Sequence, residues 1–134
     1  MTPTSPESTD PSVRQLALRV VTMPRDTNPY GTIFGGVILS YIDQAGFVQA
    51  LNHGDHTWVT ASIERVDFKA PVQLGDIVNV YTRTIRTGTT SITIEAEVEA
   101  ERCQTHAAKR VTTATLTMVA LDDSGRPTPF TGAQ

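Results

Sequence analysis

A run of nineteen residues with a single carboxylate constrains this chain more than any other feature. From Ile33 to Leu51 it reads Ile-Phe-Gly-Gly-Val-Ile-Leu-Ser-Tyr-Ile-Asp-Gln-Ala-Gly-Phe-Val-Gln-Ala-Leu, long enough for a helix and too short and polar to span a bilayer. At about 100° per residue, Gly36, Leu39, Ser40, Asp43, Phe47 and Ala50 share one face. The opposite side, Val37, Ile38, Tyr41, Ile42, Ala45 and Val48, is apolar as well. A helix that is hydrophobic nearly all round is buried nearly all round, so Asp43 is expected to be enclosed. An isolated helical Asp normally rests on a wet surface, but this segment offers it no polar face. An enclosed carboxylate must be partnered or become harder to ionise, and carboxylates in that condition gather at catalytic sites.

Two features upstream give the carboxylate something to work with. Gly35 and Gly36 stand where the helix is expected to begin, so the unpaired N–H groups and positive dipole end lie bare of side chains, ready for an oxyanion. Ahead of them the Pro- and Gly-punctuated stretch Met23 to Gly31 contains Asn28. Asn28 is either a neutral donor and acceptor for a substrate or simply a former of its own turn. Asp43 follows Gly35 by eight residues, roughly 12 Å along a straight helix at ~1.5 Å per residue. One chain's Gly35 N–H and its own Asp43 therefore cannot both touch one reacting carbonyl. If both act, Asp43 meets the glycine turn and Asn28 of a second chain, which places the site at a two-fold interface.

The remainder of the 134 residues supports one domain. Residues 1–12, with three prolines and no hydrophobic residue after the initiator, read as a disordered tail, 13–130 as the domain and 131–134 as a short C-terminal tail. A net charge of -3 with 19% charged residues leaves no basic stripe for nucleic acid and no polybasic membrane patch. Cys103 is alone, so no disulfide framework exists, and no signal peptide is apparent; the expectation is a soluble cytoplasmic protein needing neither metal nor redox cofactor. Val13–Met23 reads as a first strand, the helix closes near Asn52–Gly54, and strands follow over 57–68, 77–86, about 92–98 and 111–121, with a hairpin turn at Thr87-Gly88-Thr89. Glu95, Glu97, Glu99 and Glu101 read as a wet strand face, His53 and His56 as solvated loop residues, and Cys103 with His106 as a strand-end turn. One apolar helix among long strands has few compact solutions: an antiparallel sheet wraps the helix, in an α+β fold, and leaves an edge and part of the helix for a second subunit.

The residues Met23-Pro24-Arg25-Asp26-Thr27-Asn28-Pro29-Tyr30-Gly31-Thr32-Ile33-Phe34-Gly35-Gly36, with Asp43 seven further on, resemble the signature of hot-dog fold acyl-CoA thioesterases. The branch is that of the broad-specificity bacterial acyl-CoA hydrolases, brown-fat-inducible thioesterase and cytosolic acyl-CoA hydrolases. Val59-Thr60, Phe68-Lys69-Ala70-Pro71-Val72 with Gly75-Asp76, Gly88-Thr89-Thr90-Ser91, and Met118 to Asp122 before Gly125 continue it in register. The resemblance implies a curved sheet around one helix, homodimers sharing one sheet, and assembly to a hexamer (a trimer of dimers) or a tetramer. It implies hydrolysis of acyl-CoA, the coenzyme being substrate rather than cofactor. Asp43 would be general base or nucleophile, Asn28 would come from the facing protomer, and Gly35 and Gly36 would polarise the carbonyl. CoA would lie along Phe68, Lys69 and Pro71 and the turn of Gly88, Thr89 and Ser91. This chain departs from the pattern at Thr89, where the family usually has Arg, at Thr32, usually an acid, and at Val37, usually Trp. Lys69, Arg83, Arg86 or Lys109 would have to supply the missing phosphate-binding cation. Two other classes share such a frame: a hydratase or dehydratase, which typically adds a His to the acid, and an idle acyl-CoA-binding module.

Overall fold

The computed structural model of the chain describes residues 10–130. The tail expected over 1–12 lies outside the described residues up to residue 9, as does all of 131–134. Asp10 to Ser12 form a turn in which the Ser12 N–H and hydroxyl donate to Asp10 Oδ1 at 3.0 and 2.7 Å. The Pro11 carbonyl accepts from the Thr84 N–H at 2.7 Å and from Gln49 Nε2 at 3.0 Å, which ties this turn to the domain.

The elements run β1 (Gln15–Val21), α1 (Gly35–Ala50), β2 (Thr57–Phe68), β3 (Ile77–Thr87), β4 (Ser91–Glu101) and β5 (Ala108–Leu121). All pairings are antiparallel, in the order β1-β3-β4-β5-β2, so β1 and β2 are the edges. The period-2 pattern drives this sheet. Ile92, Ile94, Ala96 and Val98 of β4 are fully buried and face α1, and in register Ile92 meets Met118 while Ile94 meets Leu116. Alternate residues point to the convex side, where Glu95 pairs with Arg83 at 2.8 Å and Glu97 with Arg14 at 2.9 Å. Glu101 departs from the expected wet face. It is only 9% exposed and accepts from Arg19 Nη1 at 3.0 Å, Asn79 Nδ2 at 2.9 Å and His106 Nδ1 at 3.1 Å. These donors, Arg19 first, hold its carboxyl down at about 2.

Helix α1 begins at Gly35 and ends at Ala50, continuing as a 3-10 turn to His53 before Gly54, at φ +122°, stops it. Its buried residues are Ile38, Ile42, Ala45, Gly46, Gln49 and Ala50. Gly46 sits where the helix touches β5: a Cβ there would lie 2.8 Å from Leu116 Cδ2. Gln49 is buried but satisfied, donating to Thr84 Oγ1 at 3.0 Å and accepting from Thr82 Oγ1 at 2.7 Å. His53, expected to be solvated, is half-buried and shares a 2.8 Å hydrogen bond with Thr84 Oγ1; burial lowers its pKa.

The helix is not covered all round. Ser40, Asp43, Gln44, Phe47 and Val48 form an exposed stripe on the protomer, because a single sheet closes over only one side of the cylinder. Beside that stripe runs β2, whose ladder to β5 is broken by register shifts between Thr60 and Ser62 and between Glu64 and Asp67. Arg65, at φ +56°, occupies the left-handed region that a side chain seldom adopts. Among the described residues no helix is long and apolar enough to cross a membrane.

Because Leu116 is fully buried and cannot retreat freely, Gly46→Val is expected to lower stability by about 1–3 kcal/mol through overpacking, measurable by urea denaturation.

Candidate active site

Asp43 lies midway along α1 and is exposed on the single protomer, not enclosed as its apolar setting suggests. The apolar neighbours are real, but Phe47 and Val48 are themselves 45% and 42% exposed, so the cover this segment calls for is not supplied by the chain's own sheet. The carboxylate is nevertheless held in place. Its Oδ1 accepts a hydrogen bond from Thr60 Oγ1 on β2 at 2.5 Å, and the same hydroxyl lies 3.3 Å from Met118 Sδ on β5. Together with Gln44, Phe47, Val48 and Trp58 these groups line an open hollow of about 380 Å³. Thr60 is the candidate site residue that reading the sequence missed. Its only signal was membership of the Val59-Thr60 pair, which carried no role until β2 brought its hydroxyl to Asp43.

The helix start has the properties the two glycines suggest. Phe34 is the N-cap and makes no side-chain cap bond; the first-turn bonds are Val37 N–H to Phe34 O at 3.0 Å and Ile38 N–H to Phe34 O at 3.3 Å. Among the described residues the N–H groups of Gly35 and Gly36 have no acceptor, leaving two donors at the positive end of the helix. The Phe68 ring packs against Gly35, 3.4 Å from where a Cβ would stand, while Gly36 faces open space. Gly35 shares a cleft of about 330 Å³ with Phe68, Lys69, Ala70, Pro71 and Thr112. Thus Gly35, Phe68, Lys69 and Pro71, widely spaced in sequence, converge. Lys69 brings a cation to this cleft, and among the described residues no carboxylate pairs with it.

Asn28 is used by its own loop. Its Oδ1 accepts from the Tyr30 N–H at 2.9 Å and the Thr32 N–H at 3.2 Å, and its Nδ2 donates to Thr32 Oγ1 at 2.8 Å. This turn delivers Ile33 into the core and Phe34 to the cap, so Asn28 shapes the approach to the helix N-terminus. One Nδ2 hydrogen remains for another partner.

Gly88, Thr89 and Ser91 do not join the cleft within one chain. They form the β3–β4 hairpin, closed by Gly88 N–H to Ser91 O at 2.7 Å. Ser91 pairs with Val119 at one end of β5, whereas Thr112, at the other, pairs with both Val98 and Phe68. Ser91 and Val98 are seven residues apart (98 − 91), about 24 Å at ~3.4 Å per residue. Asp43 and Thr60 belong to the hairpin half, since Thr60 pairs with Met118 and Met118 with Ile92. The chain therefore holds two separated groups of candidate site residues: amide donors with Phe68 to Pro71 at one end, carboxylate with hydroxyl and hairpin towards the other. Of the cations considered in place of the Arg that Thr89 replaces, Arg83 is engaged by Glu95, and Lys109 lines a separate hollow that adjoins the cleft through Pro71. The histidines serve elsewhere, His53 on Thr84 and His106 on Glu101.

Comparison with known proteins matches residues 30–107 to the Thioesterase superfamily. An acyl-CoA thioester hydrolase, YciA, of Salmonella typhimurium is 37% identical over 119 residues, covering 87% of this chain and 90% of that one. A hexameric hotdog fold thioesterase of Campylobacter jejuni superposes with a TM-score of 0.81 at 42% identity, over 86% of this chain and 89% of the other. An acyl-CoA hydrolase of Staphylococcus aureus, solved with butyryl coenzyme A, superposes with a TM-score of 0.77 at 30% identity, over 87% and 70%.

Asn28→Ala removes the acceptor of two backbone N–H groups and is expected to cost about 1–2 kcal/mol of stability, whereas Asn28→Asp keeps that acceptor and most of the stability; paired thermal melts distinguish them.

Proposed function

We propose that this chain, which belongs to the thioesterase superfamily, hydrolyses acyl-CoA thioesters to a carboxylic acid and coenzyme A at a site completed by two protomers. Its five antiparallel strands curled on one helix are the hotdog fold. The observation that carries the reading is the separation of the two half-sites, each beside a surface its own chain leaves open. Asp43 lies on the bare stripe of α1 next to the free edge of β2.

A two-fold axis through the middle of β2 pairs that strand with its copy, antiparallel, so that Thr57 of one protomer lies opposite Phe68 of the other. This brings the Asp43–Thr60 half of one subunit to the Gly35–Phe68 half of its mate and covers Phe47 and Val48. Pairing free edges also satisfies the unpaired backbone groups of β2. The similar Campylobacter jejuni thioesterase is hexameric, and a trimer of such dimers is the assembly we assign to this chain.

In the assembled site the thioester carbonyl oxygen accepts from the Gly35 and Gly36 N–H groups, which strengthen as negative charge develops on it. Asp43 of the facing protomer, aimed by the Thr60 hydroxyl, acts on the carbonyl carbon through water, whose proton it takes. The C–S bond then breaks, and the coenzyme thiolate leaves without a strong general acid because a thiolate is a good leaving group. Phe68 and Pro71 flank the coenzyme arm, and Lys69 offers its ammonium to the phosphate-bearing end. Asn28 holds the 28–32 turn that presents the amides, with its spare Nδ2 hydrogen directed to substrate.

Three measurements test this. Asp43→Ala is expected to lower kcat for acyl-CoA hydrolysis about 100- to 10,000-fold while the fold persists, since the residue is exposed. Gly35→Pro deletes one N–H at a position where helices accept proline, after a Phe34 already extended at ψ 138°, and is expected to cost about 100- to 1,000-fold. Co-expressing the two inactive variants regenerates one intact site per mixed dimer, about a quarter of wild-type activity overall; no recovery in verified mixed dimers would show that the site lies within one chain.

A further inference from the structure

We infer that Trp58 is the specificity-determining wall that sets how long an acyl chain the enzyme accepts. The inference rests on the reading that Asp43 faces the thioester carbonyl. From that carbonyl two substituents depart, and they differ in chemistry. The coenzyme arm is polar and ends in phosphates, which suits the cleft of Phe68 to Pro71 with its Lys69 cation. The acyl chain is apolar, and the hollow that opens from Asp43 is bounded by Phe47, Val48, Trp58 and Met118.

That hollow has a direction. Trp58 and Thr60 are two residues apart on β2, so both point to the concave face, about 7 Å from one another along the strand. Phe47 lies one helical turn beyond Asp43, about 6 Å further from the helix start. The hollow therefore begins at the carboxylate held by Thr60 and runs along β2 and α1 to the indole, away from its own chain's helix start.

The indole is fixed where it stands. Trp58 is 5% exposed, and its Nε1–H donates to the Gly54 carbonyl at 3.1 Å. It packs edge-on against Phe130 and His56, with ring centroids 5.3 and 5.8 Å away. Phe130 itself is 2% exposed. A side chain held by a hydrogen bond and two aromatic neighbours does not swing aside for a longer chain, unlike Met118, whose thioether is adaptable. Removing the indole would extend the hollow towards Phe130 and His53.

The experiment is a kcat/KM series over saturated acyl-CoAs from butanoyl to palmitoyl for wild type, Trp58→Ala and Trp58→Phe, with folding checked by circular dichroism. The palmitoyl-to-butanoyl ratio is expected to rise about ten-fold or more in Trp58→Ala, the discrimination a hydrophobic pocket draws from a few methylenes. Trp58→Phe, which keeps an aromatic ring in the cluster, is expected to fold as wild type and move the ratio in the same direction by less. An unchanged ratio in folded Trp58→Phe and Trp58→Ala, or equal loss at every chain length, overturns the inference and leaves Trp58 a packing residue. If Trp58→Ala does not fold, the Trp58→Phe ratio alone decides in the same way. A wild type silent on every acyl-CoA instead overturns the hydrolase reading, so the two failures are distinguishable.

Discussion

The seating of α1 on β5 fixes everything that faces outward. At Gly46 no side chain separates the helix from Leu116, and around that contact Ile38, Ile42, Ala45, Gln49 and Ala50 turn inward. A helix anchored by one face has its opposite face determined: with 3.6 residues per turn, Asp43, Gln44, Phe47 and Val48 have nowhere to go but out. The position of the carboxylate is thus a consequence of core packing several residues away. Thr60 then orients it from the neighbouring strand, and the edge position of β2 decides that this strand is itself uncovered.

Much of this was legible in the residues. Strand β2 runs from Thr57 to Phe68 as its β-branched and aromatic content suggests, and the alternation of Ile92, Ile94, Ala96 and Val98 with acids fixes the buried face of β4. The helix start at Gly35 followed from glycine chemistry and the pattern of the preceding loop. What the residue pattern settled only conditionally was Asp43's surroundings: the spacing from Gly35 set it against a second chain only if both act on one carbonyl. Hydrophobicity reports that a side chain belongs out of water, not whether its own sheet or another molecule removes it, and Phe47 and Val48 look alike in either case. Polar residues misled in the other direction. Glu101 and His53, read as wet, are drawn in by partners 82 and 31 residues away on β1 and β3. The Thr60–Asp43 contact is of the same kind.

The loops reveal a division of labour between shaping and chemistry. Asn28 satisfies two N–H groups of its turn, and that turn is what brings the chain into α1 with its first two donors unpaired. A loop side chain can thus matter by building the backbone that leads into a helix start. The hairpin at Gly88, by contrast, lies about 24 Å along the sheet from Phe68 and so does not join its own chain's cleft.

The irregular edge of β2 bears on solubility. An exposed strand offers its donors and acceptors to any extended peptide, which is how unprotected sheets seed fibres. Here the ladder is interrupted on both sides of Ile63, and Arg65 is bent into a conformation that breaks the even spacing a foreign strand would need. An edge interrupted in this way is a poor template for an extended foreign strand, which lowers the risk of open-ended polymerisation.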